Sequence, residues 1–224
     1  IRGRPEQVRI PLATALIDVG YEPWGYAWLF PKENLLSIGI VLPREKATQM
    51  KTQVGHYVER LGLAGADIEI ARGHKIRFRR GGEPIASERV ALVGDAAGLA
   101  DEFTEEGISY AIHSGSLAAR SALGALGGQG GLQRYQTEVE TEIQPELHAA
   151  RVIAFMFYGM LRRAPRPWMF ASAHLPYLWG SFFAVQRGDS TYAREARRAA
   201  PLKALAEAML RHQDTSADRP SGRP

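Results

Sequence analysis

Between Arg89 and Gly115 the sequence reads RVALVGDAAGLADEFTEEGISYAIHSG. Its first five residues form a near-continuous apolar run that stops at Gly94-Asp95, the pattern of a short buried strand. A glycine at the strand end lets the backbone turn sharply and approach another group. After a loop, Thr104 is placed to cap a long helix. Ile108, Ala111, Ile112, Gly115, Ala118, Ala119, Ala122 and Leu126 share one face of that helix. Most of them are small, so the face is predicted to pack close against a sheet. Strand, turn and small-faced helix point to an α/β arrangement here.

Upstream, alternation replaces the continuous run. Thr14–Val19 reads as a strand. Gly25–Phe30 and Leu35–Val41 read as two more, joined by Pro31-Lys32-Glu33-Asn34, the spacing of a β-hairpin. Pro43 opens a helix whose apolar positions Ala47, Met50, Val54, Tyr57, Val58 and Leu61 fall three or four apart, and Gly62 ends it. Ile68–Arg79 reads as one or two strands with outward charges. Downstream, Leu132–Arg163 is predicted to be mostly helical with a break at Pro145. Ala164–Pro167 breaks the chain again, and Trp168–Val185 is apolar and aromatic, interrupted by Pro176. A last helix runs from about Tyr192 to His212, and residues 213–224 are polar and predicted to be a disordered tail. A chain of 224 residues has room for one or two domains.

Composition removes several chemistries. The absence of cysteine excludes disulfides, zinc–thiolate sites, Fe–S clusters and thiol nucleophiles. The six histidines show no i, i+4 pair and no compact cluster, so no metal site is predicted. No Gly-x-Ser-x-Gly elbow is present. Net charge is a mild +4, with Arg187, Arg194, Arg197, Arg198, Lys203 and Arg211 clustered late in the chain. That basic helix is either a solvated face or a surface for anionic lipid. No basic motif interleaved with aromatics argues for nucleic acid. No uninterrupted apolar run reaches the ~18 residues of a membrane span, and the first residues are not a signal peptide. The expected location is cytoplasmic, with peripheral membrane contact through Trp168–Phe183 or, in the other reading, a helical lid there.

Two groups of residues can carry function. Asp95 follows the strand end, where a carboxylate either accepts hydrogen bonds from sugar or polyol hydroxyls or simply caps a turn. The helix start near Glu105-Glu106 offers free N–H groups and a positive dipole end able to stabilise negative charge. Trp24, Tyr26, Trp28 and Phe30 occur at every second position and share one strand face, opposite Gly25, Ala27 and Leu29. Four aromatics so placed either wall an apolar cavity or form a core face under a helix.

The segment from Gly94 resembles the third FAD motif of the geranylgeranyl reductase family, within the FAD-dependent monooxygenase-like superfamily. That motif reads Gly-Asp-Ala-Ala-Gly, then Pro, then Thr-Gly-Glu-Gly-Ile, then Ala-x-x-Ser-Gly. Gly94, Asp95, Ala96, Ala97, Gly98, Thr104, Glu106, Gly107, Ile108, Ala111, Ser114 and Gly115 match it. The resemblance implies that Gly94–Gly98, Thr104 and Glu106–Ile108 bind FAD, with Asp95 on the ribityl chain and Gly107-Ile108 against the isoalloxazine. The run GYAWLFPK resembles the family's Tyr-x-Trp-x-Phe-Pro motif, which implies that Trp24, Tyr26, Trp28, Phe30, Pro31 and Lys32 line an isoprenoid pocket. Glu102 stands where the family usually has Pro, and Glu105 where it usually has Gly. With Asp101 and Glu106, these acids either favour the helix dipole or disfavour an anionic reduced flavin. Neither a Gly-x-Gly-x-x-Gly turn nor a second motif ending in Asp-Gly occurs in the sequence.

The implied fold is an incomplete FAD/NAD(P)-binding type: α/β with α+β character, an antiparallel substrate-domain sheet, a strand–helix FAD-motif unit and C-terminal helices. The expected divisions are residues 1–88 for the substrate sheet, 89–131 for the FAD segment, 132–212 for the helical region and 213–224 for the tail. The implied activity is FAD-dependent reduction of C=C bonds in an isoprenoid chain by hydride from flavin N5; the sequence identifies no proton donor. A non-catalytic module for an isoprenoid or quinone-like lipid is the first alternative, and a flavin hydroxylase or halogenase the second. The expected partners are an apolar isoprenoid substrate, a missing N-terminal FAD-binding portion or subunit, and a membrane surface. The chain, which starts at Ile1, is accordingly expected to be a fragment, a split subunit or a truncated derivative.

Overall fold

The alternation upstream of Val41 becomes an antiparallel sheet. The computed structural model describes residues 14–22, 24–33, 35–68, 70–128, 130–198, 204 and 206–211. The sheet runs in the order β1 (Leu16–Val19), β2 (Tyr26–Pro31), β3 (Leu36–Ile40). Leu16 faces Leu29 and Val19 faces Tyr26 across the first pair; Ala27 faces Ile40 and Pro31 faces Leu36 across the second. Lys32 and Leu35 exchange backbone hydrogen bonds of 2.8 and 3.3 Å. The hairpin is therefore tighter than the turn expected from Pro31 to Asn34, and Pro31 belongs to the strand.

A period of two puts Ala27 and Leu29 on one face of β2, and both are fully buried. The helix α1 (Met50–Arg60), entered through a 3-10 turn at Arg44–Gln49, covers that face with Tyr57 and Val58. Gly62 ends the helix as expected: it takes φ +76°, and Leu63 N–H returns to Val58 C=O at 3.1 Å. Gly39 on β3 lies directly beneath the Trp28 ring, where a Cβ would stand 2.1 Å from Cζ2. Only glycine admits the indole there.

The chain divides into two units, Ile1–His74 with Met160–Met169, and Lys75–Gly159 with Phe170–Pro224. The first contains the sheet and α1. The second is built on α2 (Ile108–Leu126), α3 (Gln133–Glu142) and the first part of α4 (Gln144–Arg163). Ile85, Ala97, Leu99, Leu117, Tyr135, Val139, Ile143 and Leu147 form its main core. The expected break near Pro145 falls at Ile143, and Pro145 sits in the first turn of α4, where its missing N–H costs nothing. The aromatic stretch forms α5 (Pro165–His174) and α6 (Pro176–Gln186), with Pro176 opening the second. The α7 helix (Tyr192–Arg198) follows, and residues 206–211 are helical. The predicted tail at residues 213–224 lies outside the described residues.

Three expectations are corrected. Arg89–Val93 is not a buried strand: it makes one antiparallel bridge, Ala86 with Ala91, and Val90, Leu92 and Val93 are exposed. A strand buried on both faces needs neighbours on both sides, and none flank it among the described residues. Residues 70–79 carry no strand for the same reason, and Arg79, expected to point outward, is buried. In α2 the core side is Tyr110, Ser114, Leu117 and Ser121; Ile108, Ile112, Ala119 and Leu126 of the predicted packing face are exposed instead.

Gly39→Val should lower the unfolding free energy by about 1–3 kcal/mol, because the new side chain must displace Trp28. Urea melts with a near-ultraviolet tryptophan signal check this; an unchanged midpoint would contradict the packing of Trp28 on β3.

Candidate functional site

The aromatic row sits on the face of β2 turned away from α1. Tyr26 and Trp28 are half-buried, while Trp24 and Phe30 are more exposed. Ring centroids step along the strand at 6.1 Å from Tyr26 to Trp28 and 6.3 Å from Trp28 to Phe30. The core-face alternative is thereby removed, since the aliphatic face holds that position. Trp24 lies under the Arg162 guanidinium at 5.7 Å, a cation–π contact. Pro31 is half-buried and Lys32 exposed at the end of the same strand.

The Gly94–Gly98 motif forms a 3-10 turn, Gly94–Ala97, with Gly98 as its left-handed exit. Gly94 takes φ +50°, and a Cβ there would stand 2.8 Å from the Ala111 Cβ. Its N–H donates to Ser114 Oγ at 3.0 Å, and that hydroxyl donates to Ala111 C=O at 3.2 Å. Gly98 presses on residues 78–79: its C=O accepts Arg79 N–H at 2.9 Å. Ala97 is buried and Ala96 exposed. The Asp95 side chain is exposed, and Oδ1 stands 2.8 Å from where a Gly107 Cβ would be. Gly94, Asp95, Gly107, Ala111 and Ser114 are therefore gathered in one place, at the start of α2.

Thr104 is not the helix cap. Gly107 precedes the first turn, and Glu106 accepts the Ser109 N–H at 2.7 Å and its hydroxyl at 2.6 Å. Thr104 instead donates its hydroxyl to Asp101 Oδ2 at 2.6 Å, while Asp101 Oδ1 accepts the N–H groups of Phe103 and Thr104 at 2.8 and 2.7 Å. Asp101 is 1% exposed and is the knot of this loop. Burial raises its carboxyl above the usual range; these hydrogen bonds pull against that, and the Glu106 charge adds to it. Glu102 pairs with Arg80, and Arg151 stands 3.6 Å from it. Asp101, Glu102 and Glu106 thus have separate partners rather than one shared helix start.

Arg79 is the site neighbour that sequence reasoning missed. Its guanidinium pairs with Glu140 and with the Glu83 carbonyl. Nothing in a basic segment read as an outward-charged strand distinguishes Arg79 from Arg77 or Arg80. A small cleft beside it is lined by Arg77, Phe78, Pro84, Leu92, Ala96 and Gly98. His113 Nε2 stands 3.0 Å from the Glu142 carboxylate on the exposed side of α2 and α3. Among the described residues no cluster of His, Asp and Glu is arranged to hold a metal ion.

Glu105 adopts φ +62°, the conformation glycine accepts freely. Its Oε2 is buried without a hydrogen-bond partner. Burial, reinforced by the Asp101 charge, pushes its carboxyl up to about 7. The unfolded chain therefore loses this proton near pH 4.5 and the folded chain only near 7. The folded state binds the extra proton, so stability falls as pH rises through that window and the full penalty is present above about 7. Glu105→Gly should stabilise the protein at both ends, by about 2–3 kcal/mol more at pH 8 than at pH 5. Denaturant melts at the two pH values check this, and an equal gain at both would contradict the buried carboxylate.

No protein-family model matches the chain. An uncharacterized protein of Methanosarcina barkeri is 34% identical over 145 residues, 64% of this chain and 37% of its own. Digeranylgeranylglycerophospholipid reductase 3 of Methanosphaera stadtmanae is 35% identical over 46% of this chain and 27% of its own length. The chloroplastic geranylgeranyl diphosphate reductase of Arabidopsis thaliana is 29% identical over 68% and 36%. A crystal structure of a geranylgeranyl bacteriochlorophyll reductase-like protein from Thermoplasma acidophilum has the same fold, with a TM-score of 0.56, 24% identity and coverage of 69% of this chain and 41% of that one. The chain thus spans well under half the length of the relatives it matches. Over about half to two thirds of its own length, it is similar to proteins named as geranylgeranyl or digeranylgeranylglycerophospholipid reductases.

Proposed function

We propose that this chain is the substrate-facing and flavin-facing part of an FAD-dependent reductase acting on C=C bonds of an isoprenoid chain. The observation that carries the reading is the gathering of Asp95, Gly94 and Gly107 at the start of α2, in the segment that resembles the family's FAD motif. The groups present fit such a ligand. Asp95 is an exposed carboxylate able to accept hydrogen bonds from polyol hydroxyls. Gly107 lacks the side chain that would stand between Asp95 and the helix start. The first-turn N–H of Ile108 and the positive dipole end of α2 suit the electron-rich edge of a flavin ring. When bound, a reduced flavin supplies the hydride. On β2, the stacked rings of Tyr26, Trp28 and Phe30 offer an apolar wall of the kind a prenyl chain lies against.

A lipid-holding module without redox chemistry is the competing reading. It is favoured by Glu105, whose carboxylate above pH 7 opposes negative charge nearby. Mixing the chain with FAD and a geranylgeranyl lipid, reducing with dithionite and analysing the lipid by mass spectrometry separates the two. The reductase reading expects a flavin absorbance band that stays with the protein and a lipid that gains two hydrogens per saturated bond. Asp95→Ala should weaken flavin binding roughly tenfold to a hundredfold, the loss of a charge-assisted hydrogen bond. Lipid bound without retained flavin or saturation would favour the module.

Among the described residues no helix is long and apolar enough to cross a membrane. Phe170, Tyr177 and Phe183 on α5 and α6 are nonetheless exposed. With the arginines of α7 they support contact with an anionic lipid surface, from which an isoprenoid substrate would be drawn. Sedimentation with anionic vesicles should show binding that weakens in high salt; no binding at low salt would remove the membrane from this reading.

A further inference from the structure

Phe103 is the single apolar side chain between Asp101 and Gly107, in the run Asp-Glu-Phe-Thr-Glu-Glu-Gly. Its ring stands edge-on to four others, with centroids 5.3 Å from Phe157, 5.9 Å from Phe182, 6.2 Å from Tyr192 and 6.3 Å from Tyr158. Edge-to-face packing at these separations is an arrangement that ring quadrupoles favour. Phe157 and Tyr158 belong to α4, Phe182 to α6 and Tyr192 to α7. All lie in one unit, so three helices meet on one loop residue.

The walls of this cage are tied to one another. Ser181 and Ser190 both donate hydroxyls to Glu195, at 2.8 and 2.6 Å, which joins α6 to α7. Gln186 donates to the Tyr192 hydroxyl at 3.2 Å, and Ala193 N–H donates to Glu146 at 3.2 Å, which joins α7 to α4. The loop is closed on itself as well. Glu105 N–H donates to Asp101 C=O and Asp101 N–H to Glu106 C=O, each at 3.0 Å. Phe103 N–H reaches Asp101 Oδ1 at 2.8 Å, and Phe103 C=O accepts the Tyr158 hydroxyl at 2.9 Å. Residues 101–106 are thus cross-linked into one piece, and Gly107 is joined directly to it.

We infer that Phe103 is a positioning residue of the motif: its ring, seated among α4, α6 and α7, holds the Asp101–Glu106 piece and thereby sets Gly107 against Asp95. Phe103 acts through those two residues rather than on a ligand. The setting is close, since Asp95 Oδ1 stands 2.8 Å from where a Gly107 Cβ would be. A displacement of about 1 Å is enough to spoil an oriented contact. Helices α6 and α7 therefore belong to the site around Asp95, although their residues come some ninety positions later in the chain. For its ligand the inference rests on the reductase reading; for the loop it does not.

The test compares Phe103→Leu and Phe182→Leu with Leu210→Ala, each in the full chain. Leu210→Ala opens the separate cluster of Val152, Phe155 and Ala206 and so lowers stability without touching the cage. Phe182→Leu removes one wall and leaves the loop sequence intact, so it serves where Phe103→Leu fails to fold. Hydrogen exchange at the Asp101 and Glu105 amides reads the loop without any ligand. Both phenylalanine variants should speed that exchange at least about tenfold relative to Leu210→Ala. Fluorescence titration with FAD reads the consequence. Both phenylalanine variants should weaken binding at least about tenfold, while Leu210→Ala binds as the parent does. Equal loop exchange in the three variants overturns the inference. So does an FAD affinity that the phenylalanine variants leave unchanged, or one that Leu210→Ala lowers as much, because general stability would then be the cause. A parent chain that retains no FAD removes the reductase reading instead, and the exchange comparison alone then decides whether Phe103 positions the loop.

Discussion

The close approach of Gly94 to α2 is the contact on which the geometry around Asp95 depends. At 2.8 Å from Ala111 Cβ, even an alanine side chain at position 94 would push the turn off the helix. The positive φ of Gly94 then aims its N–H at Ser114 Oγ. With that end fixed, the short turn through Ala97 presents Asp95 beside Gly107, and Gly98 returns the chain against Arg79. A second backbone without a side chain, at Gly107, receives the carboxylate. Two glycines about a dozen residues apart therefore act as one device, and each has meaning only through the other.

The loop between these glycines is held by acids with very different surroundings. Asp101 is almost wholly enclosed and is satisfied by two N–H groups and a hydroxyl. Glu106 serves the first turn of α2, and Glu102 serves two arginines. Glu105 has neither a comfortable backbone nor a partner for its buried oxygen. Such strain is expected where local structure is set by something other than stability. A glycine at position 105 would relieve both costs. Glu105 is therefore the residue of this loop with the largest physical cost.

The elements legible in the sequence are those whose reasons are local. The β2–β3 hairpin follows from alternation and a short turn, and α1 from its three-and-four spacing closed by Gly62. The glycine motif also reads correctly, because φ and close approach restrict the residue type itself. What the sequence leaves open is decided by neighbours. Alternation on β2 separates the aromatic row from Ala27 and Leu29, but both faces are apolar, and only the placement of α1 decides which is buried. Arg89–Val93 has every local mark of a buried strand and lacks partners, so it remains an edge. Thr104 has the chemistry of a good capping residue, but Asp101 claims its hydroxyl, so it does not cap α2.

Exposure limits what Asp95 and the start of α2 can do alone. A carboxylate in water gains little from one more hydrogen-bond partner, since solvent supplies equivalents. The same screening weakens the dipole end of a helix. Both effects grow when water is excluded from around them. In this chain the side of the motif turned away from the core carries the uncovered stripe of α2 and the edge at Val93. Any body lying over those surfaces, a bound ligand included, lowers the dielectric around the Gly94–Gly107 device. Covering the apolar side and strengthening the polar contacts are thus one physical event. Ligand affinity at Asp95 should accordingly depend on how completely water is kept from the motif rather than on any further change within the loop.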